Sequence, residues 1–266
     1  MLQKIYPDQV VPLTLTTVVF GFEVLIFYLE IVLLNSLIPS SIISTALRWP
    51  DVLIGLTIYL KTSIDFAIFI GRLMHNHPGW KNRVAIEIGT AMGNITGTML
   101  ILVLWAFFKE IKILMSIMIT IASLVLFRMA EDGFKHAGAT KIEAFLKKFN
   151  GFFDPILDRI IPHQEMREEV SGKANFGKLF ALSFSVPFIL GLDDFAGYIP
   201  LFNVINVFGF GVGVFLGHMI LNIALFLSPA TTIKAVKNHV ISFIGALAFI
   251  ALAIWGLIEA VKIILH

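Results

Sequence analysis

The stretch VAIEIGTAMGNITGTMLILVLWAFF, residues 84–108, carries one ionisable side chain, Glu87, among residues that are otherwise apolar, small or neutral. A helix crosses the hydrocarbon core of a bilayer in about 20 apolar residues, and in hydrocarbon the backbone finds hydrogen-bond partners only within its own fold. Residues 84–108 therefore read as a transmembrane helix. Working outward, runs of similar character fall at Val11–Leu34, Val52–Leu73, Ile111–Met129, Leu179–Ile199, Val204–Leu227 and Val240–Ile264. Together they predict an all-α polytopic membrane protein with about seven transmembrane helices. Over 266 residues, 58% are hydrophobic and 14% charged, with a mean hydropathy of +0.89, too little charge to cover a soluble globule. Lipid is the expected solvent, and one membrane domain over residues 1–266 is the economical reading.

Turn chemistry punctuates these runs. Pro50-Asp51 opens the second helix, Asn76-His77-Pro78-Gly79 reads as a turn, and Pro200 ends the fifth helix. The first apolar run starts at Val11 with no small-residue cleavage site after it, so a retained helix is expected and not a signal peptide. A net charge of +2 with no basic run gives no reason to expect a nucleic-acid partner. The chain has no cysteine, which excludes thiolate metal sites, disulfides and thiol relays.

Basic residues set the orientation. With an odd number of crossings, Lys4, Arg72, Lys81, Arg83, Lys234, Lys237 and the cluster between Arg128 and Lys178 share a side, against Arg48, Lys109, Lys112 and Lys262 on the other. The positive-inside rule then predicts a cell (inner) membrane protein with a cytoplasmic N-terminus and an external C-terminus. Residues 131–177 form the cytoplasmic linker, where Ile142, Phe145, Leu146, Phe149, Phe152 and Phe153 alternate with Lys141, Lys147 and Lys148. An amphipathic helix on the inner leaflet fits that pattern, and so does a helix packed on the cytoplasmic ends of the bundle.

The two halves match each other. Asp65-Phe66-Ala67 in the second helix aligns with Asp194-Phe195-Ala196 in the fifth, and Gly89-x-x-x-Gly93-Asn94 aligns with Gly213-x-x-x-Gly217-His218. A small-xxx-small pair alone signals close helix packing. Two matches in the same order predict a repeat of three helices, an odd number, so the second copy enters from the opposite side. Residues 51–130 and 178–266 would then be inverted repeats, with helix one (11–36) an addition, and ligand sites are expected near the midplane between them.

Intramembrane carboxylates are costly unless they face protein, water or a cation. Asp65 lies within an apolar stretch, with Lys61 one turn before it as a structural ion-pair alternative. Asp193 and Asp194 are adjacent, about a hundred degrees apart on a helix, and would serve one ion only if the helix opened locally, which Gly191, Gly197 and Pro200 would allow. Oxygen ligands from Asp65, Asp193 and Asp194 would suit a hard divalent cation. Glu87 and Asn94 share a face of the third helix, as do His218 and Asn222 on the sixth, offering direct or supporting ligands. Packing against a neighbouring helix explains Asn94, His218 and Asn222 as well, and an interfacial position explains Glu87. Glu23 and Glu30 also share a face, but interhelical pairing or interface exposure accounts for them, because helix one lies outside the repeat. Ser183 and Ser185 are expected to satisfy backbone groups freed by Pro187. His75 and His77 read as part of a solvated basic loop. No nucleophile triad, zincin helix, phosphate loop or haem motif occurs, so no catalytic residue is assigned and an enzyme is not expected.

Lys61-Thr62-Ser63-Ile64-Asp65-Phe66-Ala67 followed by Gly89 to Gly97, and Gly191-Leu192-Asp193-Asp194-Phe195 followed by Tyr198-Ile199-Pro200-Leu201-Phe202, resemble the two halves of the LysE transporter superfamily. Its cadmium-resistance (CadD-like) and TerC-like branches are the most similar. The resemblance implies cation export through inverted three-helix repeats, with Asp65 and Asp194 at the intramembrane acid positions. Some cadmium-type members carry a thiol near the second acid, which this chain lacks, so manganese or calcium suits it better than cadmium. The reading is a secondary transporter exporting a divalent cation in exchange for protons, with lipid and the transported ion as partners and no cofactor. A homo-oligomer is compatible with the sequence. Export of a small amino acid or organic solute, or a membrane scaffold without transport, are the competing readings.

Overall fold

The computed structural model describes residues 7–38, 42–160, 175–197, 199–203, 205–236 and 238–265. Among these every regular element is helical: α1 (Pro7–Leu37), α2 (Trp49–Thr62), α3 (Ile64–Asn76), α4 (Trp80–Phe108), α5 (Lys112–Ala137), α6 (Thr140–Asn150), α7 (Asp154–Ile160), α8 (Phe176–Gly197), a 3-10 turn (Ile199–Asn203), α9 (Val207–Leu227), α10 (Pro229–Val236) and α11 (His239–Leu265). Five described segments are long and apolar enough to cross a bilayer: Leu13–Leu37, Trp80–Phe108, Lys112–Ala137, Val207–Leu227 and Ser242–Leu265. A sixth results if the bent pair α2 and α3 is one span, and the apolar part of α8, Phe176–Ile189, is shorter. Large apolar side chains such as Phe22, Leu33 and Ile244 point outward, as lipid contact requires. The protein is an all-helical, multi-pass membrane protein.

Three helix pairs build the body: α4 lies along α8, α2 along α9, and α5 along α11, while α1 rests against both α4 and α9. Glycines permit the first two. A Cβ on Gly89 would fall on the Ser183 hydroxyl and the Phe180 carbonyl, and one on Gly93 would fall on the Phe184 carbonyl of α8. On α9, a Cβ at Gly213 would strike the Val52 carbonyl, and one at Gly217 would meet the Tyr59 ring at 2.7 Å. Each small-xxx-small pair is therefore the contact surface of one close helix pair, which is how backbones approach without bulky side chains between them.

The second apolar run is not one straight helix. α2 and the part of α3 from Phe66 onward meet at 65°, with Ser63 (φ −79°, ψ 26°) at the junction. The Thr62 hydroxyl and the Ser63 N–H both donate to the Tyr59 carbonyl, at 3.1 and 3.0 Å, and such back-bonding by Thr and Ser bends helices. The expected opening at Asp193 and Asp194 is absent: α8 continues through both acids to Gly197. A helix tolerates Pro187 here, yet the serines play another part than expected. Ser183 donates to Leu179 O at 2.7 Å and reaches Ala85 O of α4 at 3.4 Å, and Ser185 donates to Leu182 O, so neither bonds the carbonyl of residue 183 that the proline frees.

In the linker, α6 packs on α5, with Leu146 buried among Phe127, Ala130, Phe134 and residues of α11. Asn150 donates to Glu131 at 2.7 Å, and Arg128 pairs with Asp158 at 2.6 Å. The packed-helix alternative describes α6, while Phe145 and Phe152 stay outside at 71% and 73% exposure. His77 also departs from the solvated-loop reading: it is buried, its ring bonds Leu73 O at 3.1 Å, and it closes the end of α3. Positive φ at Gly79 (104°) and Gly138 (72°) starts α4 and stops α5, backbone conformations that glycine adopts without Cβ strain.

Candidate intramembrane polar site

Three helices converge on one buried polar cluster. Glu87 of α4, 1% exposed, accepts a hydrogen bond from Asn222 Nδ2 of α9 at 3.0 Å. Thr16 of α1 bonds Glu87 as well, and Asn222 Nδ2 lies 3.3 Å from Thr90 Oγ1. One turn along α9, His218 Nδ1 lies 3.8 Å from Glu23 Oε1 of α1. The rings of Tyr59 and Phe66 pack on the His218 imidazole, Tyr59 stacked at 6.0 Å and Phe66 edge-on at 5.4 Å. These two aromatics flank Ser63, so the α2–α3 bend wraps the histidine.

The helices are placed for this by simple rules. Thr16, Glu23 and Glu30 are seven residues apart, two turns each, and share the face of α1 that is turned inward. Glycines 213 and 217 draw α9 against α2, which brings Tyr59 over His218. Glu87 is buried among the helices, two turns into α4, which begins at Trp80.

Acceptors outnumber donors in the cluster. Glu23 Oε1, Asn222 Oδ1 and both His218 ring nitrogens are buried without a hydrogen-bond partner among the described residues. Unsatisfied buried polar groups are costly, and such a set is relieved by a proton, a water or a cation. No group of three or more His, Asp or Glu side chains is placed to hold a metal ion among the described residues.

Of the residues singled out in the sequence, the structure brings Glu87 and Asn222 together and puts His218 one turn away. Asn94 is buried two turns along α4 from Glu87, with its Nδ2 unpartnered among the described residues. Asp65 lies in the first turn of α3, beside the bend, and Asp193 and Asp194 lie in the last two turns of α8. The side chains of these three acids, and hence a Lys61–Asp65 pair, lie outside the described residues. Lys61 Nζ has no hydrogen-bond partner among the described residues, and its stem lies against Gly245 of α11. Glu23, set apart with helix one, faces His218 of α9, the interhelical pairing expected of it. Its signal was the seven-residue spacing Thr16, Glu23, Glu30 on an otherwise apolar helix. Compared with known proteins, the chain matches no family model, no curated protein and no solved structure.

Proposed function

We propose that the chain is a secondary transporter that exports a divalent metal cation, manganese or calcium in preference to cadmium, in exchange for protons. The observation that carries this reading is the convergence of Glu23, Glu87, His218 and Asn222 from three helices inside an apolar, multi-pass body. Ionisable side chains inside membrane helices are costly to keep, and they mark ion paths and proton relays. Asp65, Asp193 and Asp194 are the proposed ion ligands, with Glu87, Asn94, His218 and Asn222 in support.

Two inverted three-helix repeats and seven crossings, with α8 as a full span, belong to the same reading. It is supported by the pairing of α4 with α8 and of α2 with α9, each through the matched glycine pair of its half. α2 ends at Thr62, three residues before Asp65, and α8 ends at Gly197, three residues after Asp194. Membership of the LysE superfamily, an inner-membrane location and a cytoplasmic N-terminus complete the proposal.

Thermal stability of the purified protein against manganese, calcium, cadmium, zinc and magnesium tests it. A bound ion stabilises by mass action, about 2.7 kcal/mol at a hundred times Kd. One ion should stabilise the wild type but neither Asp65→Asn nor Asp194→Asn. If no ion acts, or both variants respond like wild type, the cation reading falls and export of an organic solute or a scaffold role takes its place.

A further inference from the structure

The buried cluster is one end of a longer column. Thr16 and Asn222 both meet Glu87, whereas Glu23 meets His218, so α1 and α9 run antiparallel along their contact. At the opposite end, Trp105 of α4 packs edge-on against Phe202 at 5.4 Å, and Phe202 packs on Phe210 of α9 at 5.8 Å. Hence α4 and α9 are antiparallel as well, and α1, α4 and α9 share one axis from the level of Glu87 to that of Trp105. The eighteen-residue interval between those two positions rises about 27 Å, close to the thickness of a bilayer's hydrocarbon core.

Polar side chains occupy that interval where packing alone would favour apolar ones. Glu23, Glu30, Asn94 and Thr98 are 4%, 6%, 4% and 1% exposed. Glu23 Oε1, both Glu30 carboxylate oxygens, Asn94 Nδ2 and Thr98 Oγ1 have no hydrogen-bond partner among the described residues. Glu23 and Glu30 are about 10 Å apart along α1, and Thr16, level with Glu87, lies a similar step before Glu23. Three carboxylates thus stand at roughly equal intervals across the membrane. Asn222 and Thr16 bond Glu87 and His218 faces Glu23, but Glu23 Oε1 and both Glu30 oxygens have no hydrogen bond among the described residues, and an unpaired carboxylate in hydrocarbon is among the costliest groups to keep.

We propose that this column between α1, α4 and α9 is a water-accessible ion route, with Glu87, Glu23 and Glu30 as successive carboxylate rungs and Trp105 on Phe202 as its closure. The column would pass a hard cation from one oxygen ligand set to the next, as a route requires sites weak enough to leave. Assigning a cation as its cargo rests on the transport reading above; the water access does not. The first helix, an addition to the repeats, becomes one wall of the route.

The absence of cysteine makes the test direct. Thr98→Cys and Thr90→Cys are nearly isosteric and lie in the column, while Leu100→Cys and Met92→Cys lie on the outward face of the same helix. Protein reconstituted in phosphatidylcholine vesicles is exposed to silver ion, and the surviving thiols are then counted with a maleimide after denaturation. Reaction of either column cysteine at least tenfold faster than the outward pair is expected. Reaction of both no faster than Leu100→Cys, in protein that elutes as wild type does, overturns the proposal. Silver reports access whether or not the protein carries a divalent cation, so this outcome and that of the ion-stability experiment are independent.

Discussion

Asn222 of α9 donates a 3.0 Å hydrogen bond to Glu87 of α4, joining two helices that otherwise touch little. Replacing Asn222 by Leu leaves the buried carboxylate with fewer donors. Interhelical hydrogen bonds inside membranes contribute about 0.6 to 2 kcal/mol. Asn222→Leu should lower thermal stability by that order, and in Glu87→Gln the same change should cost less. Additivity of the two changes in a double-mutant cycle would show that the bond does not couple the helices.

The glycine contacts predict a sharp contrast. Gly93→Ala and Gly213→Ala each place a methyl group on a backbone carbonyl of the partner helix, which cannot turn aside as a side chain can. Overpacking of this kind destabilises by about 1–3 kcal/mol. Gly21→Ala, with nothing within 4 Å, should be neutral or slightly stabilising through helix propensity. Melting of the three purified variants side by side checks this, and equal melting temperatures would contradict the close approach.

Leu146 anchors α6 to α5 from a buried position 3% exposed. Leu146→Ala removes about 2–5 kcal/mol of local packing if the site does not collapse. The helix should then detach while the membrane body stays folded, and trypsin should cut faster at Lys141, Lys147 and Lys148. Unchanged cleavage would mean that Asn150, Arg128 and their partners hold the segment without it.

Much of this architecture was legible from residue pattern alone. Apolar length located the helices, because a bilayer leaves the backbone no alternative, and the glycine pairs announced close helix contacts without saying which helices they join. What the pattern could not give was the third dimension of polar pairing. Glu87 and Asn222 are far apart in sequence, and neither signals the other. Glu23 was visible as an acid sharing a face with Glu30, but its place depends on α1 lying against α4 and α9, which no local signal encodes. The bend at Ser63 was hidden for a different reason: Thr62 and Ser63 are ordinary helix residues until a hydroxyl takes the Tyr59 carbonyl. Glycine and proline suggested a break in α8, which runs as one helix through Gly197.

That bend yields a last prediction. Thr62 and Ser63 compete for one carbonyl, and the bend they produce sets Tyr59 and Phe66 on either side of His218. The double change Thr62→Val with Ser63→Ala removes the Thr62 hydroxyl that shares the Tyr59 carbonyl, and the hydroxyl beside it, while leaving the Ser63 N–H bond to that carbonyl in place, which favours regular helical bonding through the junction. At 1.5 Å per residue, straightening a 65° bend lengthens the span from residue 53 to residue 75 by about 5 Å. Spin labels on single cysteines at Leu53 and His75, both exposed, can measure that change. A longer distance in the double variant, with His218 released from its aromatic neighbours, should accompany loss of any ion-dependent stabilisation. An unchanged distance would place the cause of the bend in the surrounding helices, since α9 packs on both α2 and α3 and could impose it.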